Sequence, residues 1–199
     1  LYSRDFTFYS SLAASREAEQ KRLYVLNALR CGESPLTVAT VSALMQRAIP
    51  PQTLAKAAFT VTDGEPCPPE ELEKALVRCG YTRCEQVEGA GQFSRRGGII
   101  DFFSPSYPEP VRIEFWGDDI DSMGFFDVKT QRRTESVETC RILPAAESLA
   151  TLAQGGTEAL IDALRAAADK CSRHKSSQQL RELEQTLRTD IERLEQNVK

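Results

Sequence analysis

The sequence predicts an α+β fold: a small antiparallel-sheet domain with a packed helix, preceded by an α/β piece and followed by a helical C-terminal tail. Three observations carry that prediction. Strand signals crowd together between Tyr81 and Ile142, several of them with period-two alternation. A single helical stripe, Leu72, Ala75, Leu76 and Cys79, immediately precedes them. Beyond Pro144 the apolar residues switch to spacings of three and four. The segments so marked are 1–55, 56–140 and 141–199.

In the first segment, Ser15 to Leu29 reads as a helix with Ser15 as N-cap and Val25, Leu26 and Leu29 on its apolar face, ended by Cys31-Gly32. Leu36 to Thr40 has the β-branched content of a short buried strand. A short helix through Ser42 to Gln46 then stops before Pro50-Pro51. In the second segment, residues 68 to 79 form a helix, because Pro69 suits a first turn, Glu70 and Glu71 complement the helix dipole, and Gly80 suits the C-terminal cap.

Strands are expected at Tyr81 to Val87, at Gln92 to Phe103, at Pro110 to Trp116 and at Ile120 to Phe126. The third of these sets Val111, Ile113 and Phe115 against Arg112, Glu114 and Trp116. A turn at Val128-Lys129-Thr130 leads to a last strand, Gln131 to Ile142. In the tail, Leu160, Ile161, Leu164, Ala168 and Cys171 make one stripe, and Leu180, Leu183, Leu187, Ile191, Leu194 and Val198 another. The second stripe reads as an amphipathic helix separated from its packing partner rather than as a coiled coil.

Composition narrows the function. Of 199 residues, 41% are hydrophobic and 27% charged, enough for a core. A net charge of −4 argues against a chain whose main work is neutralising phosphates. No apolar run is long enough to span a bilayer, and the start LYSRDFTFYS has no signal-peptide core, so a soluble, cytoplasmic chain with no membrane partner is expected. Without an initiator methionine, the chain reads as an excised fragment. The six cysteines are scattered, with no CxxC pair and one histidine, His174, so reduced thiols are expected and zinc is not.

Several motifs fail on spacing. Gly89-Ala90-Gly91 lacks a third glycine at Ser94 and precedes a strand instead of opening a helix, so no dinucleotide loop forms; Lys129-Thr130 and Lys175-Ser176 follow no glycine, so no Walker loop exists. Asp118, Asp119 and Asp121 would need other residues than Met123 and Thr130 to make a calcium loop, and read as a solvated turn. His174 sits in a polar stretch with no nucleophile pattern and reads as a surface residue. No catalytic residues, metal site or cofactor site is expected in this chain.

GQFSRRGGIIDFF, residues 91 to 103, holds the candidate site. Arg95 and Arg96 read either as strand-edge charges that discourage edge-to-edge pairing or as part of a binding face. For the second reading, Arg83 lies on the preceding strand, Phe93 lies on the same side as Arg95, and Gly97-Gly98 permits a bulge that re-aims Arg96. Arginine beside an exposed aromatic is interface chemistry, and Glu85, Glu88 and Asp101 nearby favour a mixed-charge protein partner.

GQFSRRGGIIDFFSP, PVRIEFWGDDIDSMGFFDVKTQRR and CRILPA, in this order, resemble the N-terminal region of the bacterial transcription-repair coupling factor family, and VATVSALMQRAIPP resembles the segment ahead of it there. The nuclease subunit UvrB shares a homologous region, with a single glycine and an acidic residue where this chain has Gly97-Gly98. The resemblance implies that residues 56 to 140 are a UvrA-binding module inserted into a degenerate RecA-like domain, whose remnants flank it. It implies arginines in the binding face, carried over to Arg83 in GYTR and Arg96 in RRG, with Arg95 and Phe93 following by proximity. One arginine of the UvrB pattern falls on Ser94, for which Arg95 would substitute.

The same resemblance assigns ATP, magnesium, translocase activity, and contact with RNA polymerase and DNA to other domains of the parent. It also implies that the UvrA-binding face is occluded in one state of the parent, a scaffold reading compatible with docking. The alternative is a nucleic-acid-binding fragment using Arg95, Arg96, Arg112, Lys129, Arg132 and Arg133.

Overall fold

A computed structural model describes residues 1, 16–33, 36–173 and 178–198, arranged as two units, Leu1–Glu147 and Ser148–Lys199. The expected N-cap Ser15 and the surface residue His174 lie outside the described residues.

The first unit begins with α1 (Arg16–Cys31), α2 (Val41–Met45) and α3 (Pro51–Ala57). Thr40 caps α2, its Oγ1 accepting from the Ala43 amide at 3.2 Å. Pro51 does not merely end the preceding helix; it starts α3 at the first helical position, where proline's missing N–H is no loss. The strand expected at Leu36 to Thr40 does not form: this segment belongs to neither sheet, and Leu36 and Val38 are strongly exposed. β-branched residues make a strand only where a neighbouring strand supplies ladder partners and a covered face.

Two sheets follow. β1 (Phe59–Thr62), which the sequence reading passed over, pairs antiparallel with β8 (Thr139–Ile142), Phe59 opposite Ile142. The larger sheet has the order β2-β3-β4-β5-β6-β7, with β2 (Thr82–Arg83), β3 (Gln92–Arg96), β4 (Ile99–Phe102), β5 (Val111–Trp116), β6 (Asp119–Phe126) and β7 (Arg133–Ser136). All its pairs are antiparallel except β2 with β3.

Three expected strands are thereby revised. Tyr81 to Val87 shortens to β2. Gln92 to Phe103 folds into the β3–β4 hairpin, and Gln131 to Ile142 divides between the two sheets. The hairpin turns at Gly97-Gly98, between Arg96 and its opposite residue Ile99. Gly97 alone of the two has positive φ, 62°, the arrangement of a type II′ turn. The glycine pair therefore reverses the chain rather than bulging a single strand.

One helix, α4 (Pro69–Arg78), packs on the sheet module as its stripe predicts, with Leu72 and Leu76 buried and Ala75 half-buried. It ends in a Schellman arrangement: the Tyr81 amide donates to Leu76 O at 3.0 Å and the Gly80 amide to Val77 O at 2.9 Å. Tyr81 then continues into the core, its hydroxyl donating to Leu143 O at 2.7 Å. Leu72 and Leu76 of α4 share one buried cluster with Phe93, Phe102, Ile100, Val111, Ile113 and Met123, all fully or almost fully buried, and with Cys140 and Ile142 of the small sheet. Each such side chain contributes on the order of 1.5–3 kcal/mol of burial.

A buried ion pair ties α1 to the end of this unit. Arg22 Nε lies 2.7 Å from Glu147 Oε1, and both side chains are 1% exposed. Arg22 Nη1 also donates to Ala43 O at 3.2 Å, and Glu19 Oε1 accepts from the Glu147 amide at 2.7 Å.

The second unit is a helical hairpin of α5 (Gly156–Arg173) and α6 (Gln178–Val198). Among its described residues Ile161, Ala168 and Ile191 are buried, and Arg165 bridges to Glu195 across the pair. The stripe on α6 therefore has a partner, α5, where the sequence reading expected none.

Candidate functional site

Alternation along β3 places neighbouring residues on opposite faces, and α4 covers only one of them. Phe93 and Arg95 share the α4 side, as their spacing requires; Ser94 and Arg96 share the other. This separates the four residues that the sequence reading grouped.

Phe93 is fully buried and pairs with Phe102 across the ladder. It is a core residue, and the expectation of an exposed aromatic beside the arginines is corrected: α4 lies over the side on which Phe93 points. Arg95 reaches from the same side to α4, donating to Glu73 Oε2 at 3.0 Å and to Glu70. Arg83, on the parallel neighbour β2, joins this cluster with Nη1 at 2.8 Å from Glu73 Oε1. Hydrogen bonding from Arg95 holds the Glu70 carboxyl below the usual carboxylate range, and Glu70 and then Glu73 raise the Arg95 guanidinium. Here the chain satisfies its own charges: Glu73 is shared by two arginines, and Arg95 is shared by two glutamates.

Arg96 stands on the open face. Its Nη2 donates to Asp101 Oδ2 at 2.8 Å, from a side chain 51% exposed to a carboxylate only 2% exposed. Asp101 also accepts from Arg112 Nε at 2.7 Å and Nη2 at 2.9 Å, a two-pronged contact that raises the Arg112 guanidinium. Arg112 lies 4.6 Å above the Phe126 ring and donates to Gln131 O at 3.2 Å. It thus fastens the loop after β6, where Gln131 holds a left-handed φ of 59°.

The outer row of this face runs Arg96, Ile99, Glu114 and Ser122, in register across β3 to β6. Arg133 closes it from β7, donating to Ser122 Oγ at 2.9 Å and Glu114 Oε1 at 3.2 Å. Ser94 shares the face but is buried, donating to Glu85 O at 2.8 Å. Because Arg95 points the opposite way, it does not substitute at the position Ser94 occupies.

The sequence reading missed Arg112 as the partner of Asp101, Glu70 and Glu73 as clamps on Arg95, and the exposure of Trp116. For the last, a signal was present: in the alternation of β5, Trp116 falls in the polar phase with Arg112 and Glu114. The aspartates 118, 119 and 121 occupy the exposed β5–β6 turn and its start. Among the described residues no cluster of three or more His, Cys, Asp or Glu is placed to hold a metal, and no helix is long and apolar enough to cross a membrane.

Comparison with known proteins places this face within a recognisable segment. A family model described as the UvrB interaction domain matches residues 59–147. The transcription-repair-coupling factor of Bacillus subtilis is 38% identical over 135 residues, covering 67% of this chain and 11% of the relative. That of Myxococcus xanthus is 36% identical over 144 residues, 72% of this chain and 12% of the relative. The Escherichia coli relative is 32% identical over 139 residues, 70% of this chain and 12% of its own length. The matched stretch is thus a small part of each relative.

Proposed function

We propose that residues 59–147, which match the family model described as the UvrB interaction domain, form the docking module of a transcription-repair coupling factor, recruiting UvrA to stalled transcription for nucleotide-excision repair. The observation that carries this reading is the open sheet face, on which Arg96 is held half-exposed by a buried Asp101 while α4 covers the opposite face. A guanidinium fixed at its base and open at its rim loses little side-chain freedom on engaging a partner carboxylate.

Arg96 is the contact residue in this reading. Arg83, 62% exposed but on the α4 side, is peripheral; Arg95 braces α4; Phe93 supports the sheet from within. RNA polymerase, DNA, ATP and magnesium are handled by other domains of the parent protein, in the cytoplasm, and this segment performs no catalysis. An interface of about 800 Å² per partner suffices when a few arginines act as hot spots.

The nucleic-acid reading fares less well. Of its six cations, Arg95, Arg96, Arg112 and Arg133 are paired with Glu70 and Glu73, Asp101, Asp101 and Glu114 respectively. The remaining pair, Lys129 and Arg132, makes a small footprint for a phosphate backbone.

Capture of UvrA by the immobilised chain tests the proposal. Arg96→Ala is expected to weaken capture at least tenfold, about 1.4 kcal/mol, while Arg83→Ala has a smaller effect. Equal capture by wild type and Arg96→Ala would refute the assignment of the open face.

A further inference from the structure

The chain's single tryptophan, Trp116, is 83% exposed at the end of β5. Of the other aromatic side chains in this sheet, Phe93, Phe102 and Phe126 are fully buried, and Phe115 and Phe125 are half-buried. Its side is set by the strand: Val111 and Ile113 are buried toward α4 and Phe115 packs against the same core, so Arg112, Glu114 and Trp116 point to the open face. Glu114 lies opposite Ile99, and Ile99 opposite Arg96. Two strand spacings across and two residues along put the Arg96 and Trp116 backbones about 12 Å apart on one surface. Half-buried Ile99 lies between them, on the middle strand.

Arginine and tryptophan flanking an aliphatic residue is the composition of an interface centre. The surroundings decide the class of partner. Beyond Trp116 the chain turns through Asp118 and Asp119 and continues to Asp121, all exposed. Asp119 is opposite Trp116 in the ladder, and three exposed carboxylates on the adjoining turn repel phosphate, which argues against stacking on a nucleic-acid base. They suit a protein surface with an apolar pocket rimmed by hydrogen-bond donors or basic side chains.

We propose that Trp116 is the apolar anchor of the open face, entering such a pocket on the protein partner while a partner carboxylate meets Arg96. The proposal rests on the docking reading above and adds to it the residue that supplies apolar contact and the acidic rim that selects the partner.

Because there is one tryptophan, the whole 199-residue chain labelled with 5-fluorotryptophan gives one fluorine resonance, which reports on Trp116 alone. Titration with UvrA is expected to shift or broaden it. Trp116→Ala is expected to weaken binding at least tenfold, with Trp116→Phe recovering part of the loss and both variants melting as wild type does. A single-stranded oligonucleotide is expected to leave the resonance unmoved. Wild-type binding with an unimpaired Trp116→Ala variant would overturn the anchor and leave the docking reading standing. Absence of wild-type binding would overturn both. A resonance moved by the oligonucleotide would overturn the choice of a protein partner.

Discussion

Asp101 is the pivot of the open face, and truncating it separates the bracing role of Arg112 from the contact role proposed for Arg96. Its side chain is 2% exposed and holds Arg112, itself 16% exposed, through two hydrogen bonds. Asp101→Ala leaves the Arg112 guanidinium without its carboxylate between the sheet and the loop after β6. Breaking a buried pair from one side costs about 3–5 kcal/mol, because the orphaned charge remains desolvated; the partial exposure of Arg112 puts the expected loss near about 3 kcal/mol. Arg96→Ala removes a half-exposed partner and leaves the Arg112 contact in place, so its loss is below about 1 kcal/mol. For a unit of this size about 4 °C of melting temperature accompanies each kcal/mol. Asp101→Ala is therefore expected to lower the first unit's midpoint by about 12 °C and Arg96→Ala by under about 4 °C. Urea unfolding followed by circular dichroism, with the Asp101→Ala/Arg112→Ala double variant closing the cycle, measures both losses and their coupling. A loss below about 1 kcal/mol for Asp101→Ala, or no coupling to Arg112, would refute the buried-pair account.

Three other outcomes are expected. Glu147→Ala, which removes the carboxylate facing Arg22 in a site where both side chains are 1% exposed, should cost about 3–5 kcal/mol in urea unfolding, and an apolar Arg22→Met/Glu147→Leu pair should recover much of it; equal losses for the single and double variants would contradict this. Gly124→Ala should destabilise β7 by about 1–3 kcal/mol, since the added Cβ would lie 2.5 Å from Glu135 O; unchanged amide-exchange protection in β7 would count against that close approach. Burial pushes the Cys140 thiol up from its ordinary value of 9.0 to about 12, so at pH 8 it should react with a disulfide reagent only on unfolding, after the half-buried Cys31, Cys67, Cys84 and Cys171. The sign of the linked stability follows: the raised thiol favours the folded state fully below pH 9.0 and the contribution is lost as pH climbs toward about 12. Modification of Cys140 at the rate of Cys31 in the native chain would overturn its placement in the core.

Local periodicity made much of the fold legible. The stripe Leu72, Ala75, Leu76 and Cys79, with Pro69 ahead and Gly80 behind, specifies α4 without reference to anything distant. The alternation from Val111 to Phe115 likewise fixes which β5 residues are buried. Where a strand depends on a partner, the chain alone was a poorer guide: Leu36 to Thr40 has strand-like residues and no sheet, whereas β1 is made by pairing with β8, over seventy positions away. Such pairing is a long-range event whose reward is absent from the local sequence.

The candidate site shows the same division more sharply. From the sequence by itself, Phe93 and Arg95 lie on one side of their strand and Arg96 on the other, because successive side chains alternate. Alternation determines parity and not which side is covered. That was decided by tertiary structure: α4 packs over the Phe93 side, burying the phenylalanine and drawing Arg95 and Arg83 onto Glu70 and Glu73. With that side closed, Arg96 is left on the open one, held by Asp101 across the hairpin that Gly97-Gly98 turns, and Trp116 emerges on the same surface from β5.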